Sequence, residues 1–186
     1  MISYRKMTES ELPRLGDIDR SEIIRVGFEA RDGMLIKKDV TWDTPTFMAE
    51  GEGEHTVAEQ IAFCRGHLAR KALLMGAFEG ETLVGIGVLT PDIRPGMAQL
   101  AYLQVSAAYR RMGIASAITR HLLQHARDQG AVRVYVSATP SESAVCFYTS
   151  FGFDLTLDPL PELYELEPED IHMLLALDAG QKTIST

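Results

Sequence analysis

The chain has 186 residues, 46% of them apolar and 24% charged, the balance of a folded globular chain and not of a disordered one. At about 150 residues per domain this is one domain with modest additions, and it can bury about 70% of its unfolded surface around a core. Eighteen Lys and Arg against 26 Asp and Glu leave −8, a poor basis for gripping a nucleic-acid backbone, where phosphate neutralisation supplies most of the affinity. That balance still leaves room for one local basic patch on a small phosphorylated ligand, and the overall field favours cationic small molecules. No apolar run approaches the roughly 18 residues that span a bilayer, so no membrane partner is expected. The opening stretch turns acidic before any hydrophobic segment, unlike a secretory signal. Two cysteines, Cys64 and Cys146, are too few for a disulfide scaffold and show no paired zinc spacing, so a cytoplasmic setting is the default.

Residues 2–7 alternate apolar and polar and predict a short strand. Thr8 to Glu11 has capping-box spacing, and Leu12, Leu15 and Ile18 continue at helical intervals, with Pro13 tolerable only in the first turn. From Ile23 the period becomes two. Ile24, Val26 and Phe28 share a face, Asp32-Gly33 marks a turn, and Met34, Ile36 and Val40 resume, which predicts a β-hairpin over 23–40. Residues 43–55, with Pro45, Gly51 and Gly53 and the alternating acids Glu50, Glu52 and Glu54, predict a loop. Thr56 to Glu59 is a second capping box, opening a helix to about Lys71 with Ile61, Cys64 and Leu68 as its apolar stripe.

A second hairpin follows, Leu73–Phe78 and Leu83–Leu89 around Glu79-Gly80-Glu81, and then a strand over Met97–Val105 after a Pro91–Gly96 turn. From Gly113 to Gln129 a row of Ile114, Ile118, Leu122 and Ala126 at spacing four predicts an amphipathic helix, with Gly130 where a C-terminal cap belongs. Val132–Val136 predicts a buried strand and Ser141 to Ser150 a helix. Phe153–Leu157 and Met173–Leu177 predict two last strands, and 178–186 a loose tail. This order implies an α/β domain over 1–177, a mixed sheet covered by helices. Val105, the long helix and Val132 form a strand-helix-strand unit with parallel strands and a right-handed crossover.

The chemistry concentrates where that unit turns. A strand ends at Gln104-Val105, a turn carries Arg110 and Arg111, and a helix opens with Met112, Gly113, Ile114, Ala115 and Ser116. A helix N-terminus offers unpaired N–H groups and the positive end of the macrodipole, so it attracts anions. Gly113 removes a Cβ from the approach, Ala115 keeps the first turn close, and the two arginines add charge and fork-shaped donors. GxxxxGK[ST] and GxGxxG are both absent, which disfavours nucleoside triphosphates and NAD.

Arg110-x-x-Gly113-x-Ala115, after a strand and before an amphipathic helix, resembles the acyl-CoA pyrophosphate motif Q/R-x-x-G-x-G/A of the GNAT superfamily of N-acetyltransferases. Ala144 to Phe153, with Tyr148 ahead of Gly152-Phe153, resembles the same superfamily's late helix and turn. The resemblance implies a GNAT-like fold, a mostly antiparallel central sheet flanked by helices with the parallel unit at the cofactor site. The hairpin at 23–40 is additional and is expected to shape the acceptor pocket. It also implies acetyl-CoA as co-substrate and direct attack by a primary amine, expected on a small molecule, in a ternary complex. A non-catalytic acyl-CoA-binding sensor is the alternative, and homodimers, common in the family, leave that state open.

By the same resemblance, N–H groups from Arg111 to Ala115 hold the pyrophosphate, a main-chain N–H near Val105 faces the thioester oxygen, and Tyr148 is the general acid. Ser141 stands where the family often has an Asn that reaches the pantetheine arm, and it is shorter. The acceptor arrives as an ammonium of pKa about 10.4 and needs a base. Glu22, Glu29, Asp43 and His55 are candidates and stay open, each also readable as a solvated surface group. His121 and His125 have a metal-compatible spacing but no third ligand, so no metal is expected. Cys146, two residues from Tyr148, allows an acyl-cysteine but has no histidine near it in sequence. Trp42, Phe47 and Met48 either line an acceptor pocket or pack the hairpin.

Overall fold

The two most apolar runs of the chain become the middle of a sheet. Leu73 to Phe78 is buried without interruption, as is Leu83 to Thr90, which is the pattern of strands covered on both faces. The computed structural model describes residues 1–177 apart from Glu52 and Glu54. The tail at 178–186 and two of the three alternating glutamates of the 43–55 loop therefore lie outside the described residues.

In chain order the strands are β1 (Ile2–Lys6), β2 (Glu22–Arg31), β3 (Met34–Thr44), β4 (Leu73–Glu79), β5 (Thr82–Arg94), β6 (Met97–Val105), β7 (Arg133–Ala138), β8 (Asp154–Leu155) and β9 (Ile171–Ala176). The helices are α1 (Val57–Ala69), α2 (Ile114–Asp128), α3 (Glu142–Ser150) and α4 (Pro161–Leu166). Seven strands form one sheet in the order β1-β4-β5-β6-β7-β9-β8, while β2 and β3 pair as a separate hairpin. Every neighbouring pair is antiparallel except β6 and β7. The fold is thus the mixed, mostly antiparallel α/β architecture expected, with its one parallel pair spanned by α2.

Alternation along β4 divides the core. Leu73, Met75 and Ala77 join a cluster with α2 and α3, whereas Leu74 and Phe78 join one with α1 and the segment after β1. That segment, Glu9–Asp17, is 3-10 where an α-helix was expected. Its capping box forms, with the Thr8 N–H donating to Glu11 Oε2 at 2.9 Å. Pro13 then lacks the donor that an α-turn needs, and the chain tightens instead. The hairpin is longer than expected, 22–44. β5 continues to Arg94 through the stretch read as a turn. The six residues of α4, too few to display a period, went unseen in the sequence.

The long helix is set down on bare backbone. Gly85 and Gly87 of β5 alternate with Ile86 and Val88, which face the other cluster. A Cβ at Gly85 would stand 3.1 Å from Ile114 Cγ2, and one at Gly87 would stand 2.5 Å from Ile118 Cγ2 and 2.7 Å from Leu122 Cδ1. The spacing-four stripe read from the sequence therefore packs on two glycines, and this fixes how close α2 lies to the sheet. Gly87→Ala should lower unfolding stability by about 1–3 kcal/mol through overpacking. A urea titration measures this; an unchanged midpoint would mean that α2 rests less tightly than described.

Candidate active site

The parallel pair stops early. Only Met97, Ala98 and Gln99 of β6 pair with β7, through Arg133, Val134 and Tyr135. Just beyond, Val88 pairs with Tyr102 and Leu89 with Leu100, so Ala101 is an extra residue on β6. A bulge bends its strand, and the two strands part into a splay. Ser106 N–H donates to Val84 O at 2.9 Å, toward β5. By strand alternation, the main-chain groups of Leu103 and Val105 point the other way, into the splay.

The turn after β6 is shaped for an anion. Arg111 and Gly113 both adopt left-handed backbone, φ 64° and 80°. For the arginine this is an unusual conformation, held by its surroundings. Gly113 is the N-cap of α2, and no side chain caps the helix. The first N–H groups of a 15-residue helix are therefore open, next to a nest of alternating backbone. No atom lies within 4 Å of where a Cβ on Gly113 would sit.

Nine of the ten residues read as cofactor contacts line a single cleft of 960 Å³ that runs from this turn along the splay to the hairpin. The tenth, Met112, is 63% exposed and stands outside its wall. Two of the nine also have partners within the fold. The Arg110 fork, read as an anion donor, is turned inward. Its Nη2 donates to Arg20 O at 2.8 Å, its Nη1 to Ser21 O at 3.0 Å and its Nε to Val105 O at 3.3 Å, while Glu22 lies 3.3 Å from Nη1. Arg110 ties the phosphate turn to the start of the hairpin, and the exposed charge at the turn is that of Arg111. Ser141, read against a pantetheine arm, is 3% exposed and serves as the N-cap of α3, accepting from the Ala144 N–H at 3.2 Å.

Tyr148 is 7% exposed and is not a wall of the cleft. It sits edge-on to Phe147, which is a wall, at 5.3 Å between ring centroids, and to Phe153 at 5.4 Å. Burial pushes its hydroxyl pKa above the ordinary value near 10. Of the four candidate bases, Glu22, Asp43 and His55 line the cleft. Glu29 does not; Arg31 and Lys38 hold its carboxylate. His55 Nδ1 accepts from Arg20 Nη2 at 2.8 Å, since a guanidinium can only donate.

Cys146 is exposed and outside the cleft, while burial pushes the Cys64 thiol up to about 12. His121 packs on the Tyr4 ring, 6.0 Å between centroids, and among the described residues no group of three or more His, Cys, Asp or Glu is arranged to hold a metal. Phe47 is core; Met48 is exposed; Trp42 lines the cleft.

The acetyltransferase (GNAT) family model matches residues 38–153, well over half of the chain. The chain belongs to the GNAT family. A curated relative, N-acetyltransferase 8 of Mus musculus, is 35% identical over 104 residues, covering 54% of this chain and 46% of its own length. The match thus spans less than half of that relative. The solved nourseothricin acetyltransferase superposes with a TM-score of 0.71 at 15% identity, covering 94% of this chain and 98% of that one. The putative streptothricin acetyltransferase of Bacillus anthracis str. Ames, solved with acetyl coenzyme A, gives 0.70 at 16% identity, covering 96% and 99%. These two likenesses concern the fold. Residues 38–153 form an acetyltransferase domain of that family. No helix among the described residues is long and apolar enough to cross a membrane.

Gly113→Glu adds a left-handed strain of about 1–2 kcal/mol and sets a carboxylate where the diphosphate would lie. Acetyl-CoA binding should weaken by roughly 100-fold or more while the fold survives, since each 1.4 kcal/mol is tenfold. Calorimetry beside a thermal melt reads both. Undiminished affinity would remove the diphosphate from this turn.

Proposed function

We propose that this chain moves the acetyl group of acetyl-CoA to a primary amine on a small molecule, by direct attack with both substrates bound together. The observation that carries the reading is the run of open main-chain donors at 111–116 at the mouth of a splay between two parallel strands. The diphosphate lies against those N–H groups, with Arg111 beside it. The pantetheine arm extends along β6, and the N–H of Val105 faces the thioester oxygen as negative charge develops on it.

Tyr148 gives its proton to the leaving thiolate as the C–S bond breaks. Its raised pKa supports that role, because the hydroxyl stays protonated across the neutral range. Its ring contact with Phe147 keeps it next to the cleft. A small acceptor is favoured because the β2–β3 hairpin roofs the site: the Phe28 N–H donates to Pro140 O at 2.9 Å, and Lys37 pairs with Glu142 at 2.8 Å. Two unpaired thiols, Cys64 and Cys146, fit a reducing, cytoplasmic setting.

Tyr148→Phe should lower kcat about 100-fold or more while leaving acetyl-CoA affinity unchanged. Thiol release over a panel of primary amines, with calorimetry of the same variant, checks it. Unchanged turnover would end the acid role. A wild-type protein that binds acetyl-CoA but acetylates no amine would be a sensor instead.

A further inference from the structure

A second chamber of 420 Å³ lies beneath the hairpin, and its walls contain groups that the cofactor cleft does not use. The two cavities share one wall residue, Trp42. Between them β2 crosses to the turn before α3, through Phe28 N–H to Pro140 O and the Gly27–Ser141 bridge. A Cβ on Gly27 would meet Pro140 O at 3.1 Å, so this crossing is tight. The chamber has apolar and aromatic walls, among them Trp42, Val40, Leu155 and Tyr164, and Asp170 stands among the acids that line it.

The segment that delivers Asp170 is pinned by a buried relay. The Tyr135 hydroxyl accepts from the Leu160 N–H at 3.2 Å and donates to His172 Nδ1 at 2.7 Å; His172 Nε2–H donates to Glu167 O at 3.1 Å. The last bond fixes the tautomer, because a carbonyl only accepts, and burial lowers the histidine's pKa, which keeps the ring neutral. The Asp170 N–H donates to the same Glu167 O at 3.1 Å. The Asp170 carboxylate itself has no hydrogen bond or ion pair among the described residues.

We propose that Asp170 is the catalytic base: it takes the proton from the ammonium of an acceptor whose apolar body lies against Tyr164 in this second chamber and whose amine reaches the cofactor cleft past Trp42, the wall residue that the two cavities share. The proposal rests on the acetyl-transfer reading above and names its acceptor class, a cationic primary amine with an apolar or aromatic body. One proton passes from the ammonium to the Asp170 carboxylate and on to solvent. The freed lone pair forms the C–N bond to the thioester carbon, and the C–S bond breaks. The thiolate takes the Tyr148 proton, and a second amine proton, released as the amide forms, restores Tyr148. The products are an amide, a free thiol and one proton.

Burial, with the Glu167 charge beside it, raises the Asp170 pKa to about 7, where a base works best near neutral pH. Its charge is also felt at the Tyr148 hydroxyl, and the Tyr148 ring packs on Phe147, a wall of the cofactor cleft. Other charged or titratable groups face the chamber. Glu29, Asp32 and Lys38 come from the hairpin, and Glu29 and Lys38 are paired with each other. Tyr164 comes from α4, Glu169 from the loop beside Glu167, and His172 from β9. The balance is negative, as an ammonium requires.

The experiment compares wild type with Asp170→Asn on tryptamine and spermidine as probes, following thiol release from pH 5.5 to 9. A carboxylate accepts protons only above its pKa, so wild-type kcat/KM should climb through pH about 7. Asp170→Asn should lose that limb and fall about 100-fold at pH 8, with acetyl-CoA affinity by calorimetry unchanged. The variant should fold. The native pKa lies above the unfolded value, so stability is lost as pH rises through about 7, and an amide, which does not ionise, escapes that loss. An active wild type and an Asp170→Asn variant with the same pH profile would overturn the base and leave acetyl transfer standing. A wild type that acetylates neither probe nor any other primary amine would overturn acetyl transfer, and this proposal with it.

Discussion

The closeness of α2 to the sheet is the constraint on which the site depends. Ile114, Ile118 and Leu122 rest on Gly85 and Gly87, where a side chain on either strand position would push the helix away. Held at that distance, α2 begins just past the end of β6, and its uncapped N-terminus meets the place where β6 and β7 separate. The open N–H groups, the left-handed Arg111 and Gly113, and the outward main-chain groups of Leu103 and Val105 then face one cleft. A helix end like this one can grip an anion with backbone alone, without a charged side chain at its centre. The proposed diphosphate grip therefore does not need the Arg110 guanidinium, which is spent on Arg20 and Ser21 carbonyls.

The hairpin turns this shared scaffold into a particular one. It forms no part of the central sheet, yet it touches the machinery at both ends. Arg110 and Glu22 fasten its start to the phosphate turn, and the Pro140 turn fastens its middle to the N-terminus of α3. Between these anchors it roofs two cavities, the larger running from the turn at 110–116 and the smaller with aromatic walls and Asp170. Tyr148 is buried against Phe147, a wall of the larger cavity, and in the proposed reaction its proton goes to the leaving thiolate.

Local patterns in the sequence carried most of this. The spacing of Ile114, Ile118, Leu122 and Ala126 with Gly130 marked α2, and Asp32-Gly33 between alternating runs marked the hairpin. Arg110-x-x-Gly113-x-Ala115 marked the turn with the uncapped helix start, because its donors are backbone groups whose positions follow from the turn itself. Orientation was not legible. The Arg110 side chain could point to the ligand or away from it, and its partners lie 89 and 90 residues earlier. The second chamber was hidden for the same reason. Its walls come from the hairpin and from 155–172, and Asp170 acquires its character only from burial and from Glu167. Glu29, a candidate base by residue type, is neutralised by lysine and arginine on its own hairpin, which a sequence pattern does not announce.

A crystal structure with acetyl-CoA bound tests the central claim most directly. The account predicts the diphosphate within hydrogen-bond distance of the N–H groups between Arg111 and Ser116, with the thioester reaching past Val105 toward Tyr148. A diphosphate held elsewhere, or a turn at 111–116 closed by packed side chains, would contradict it.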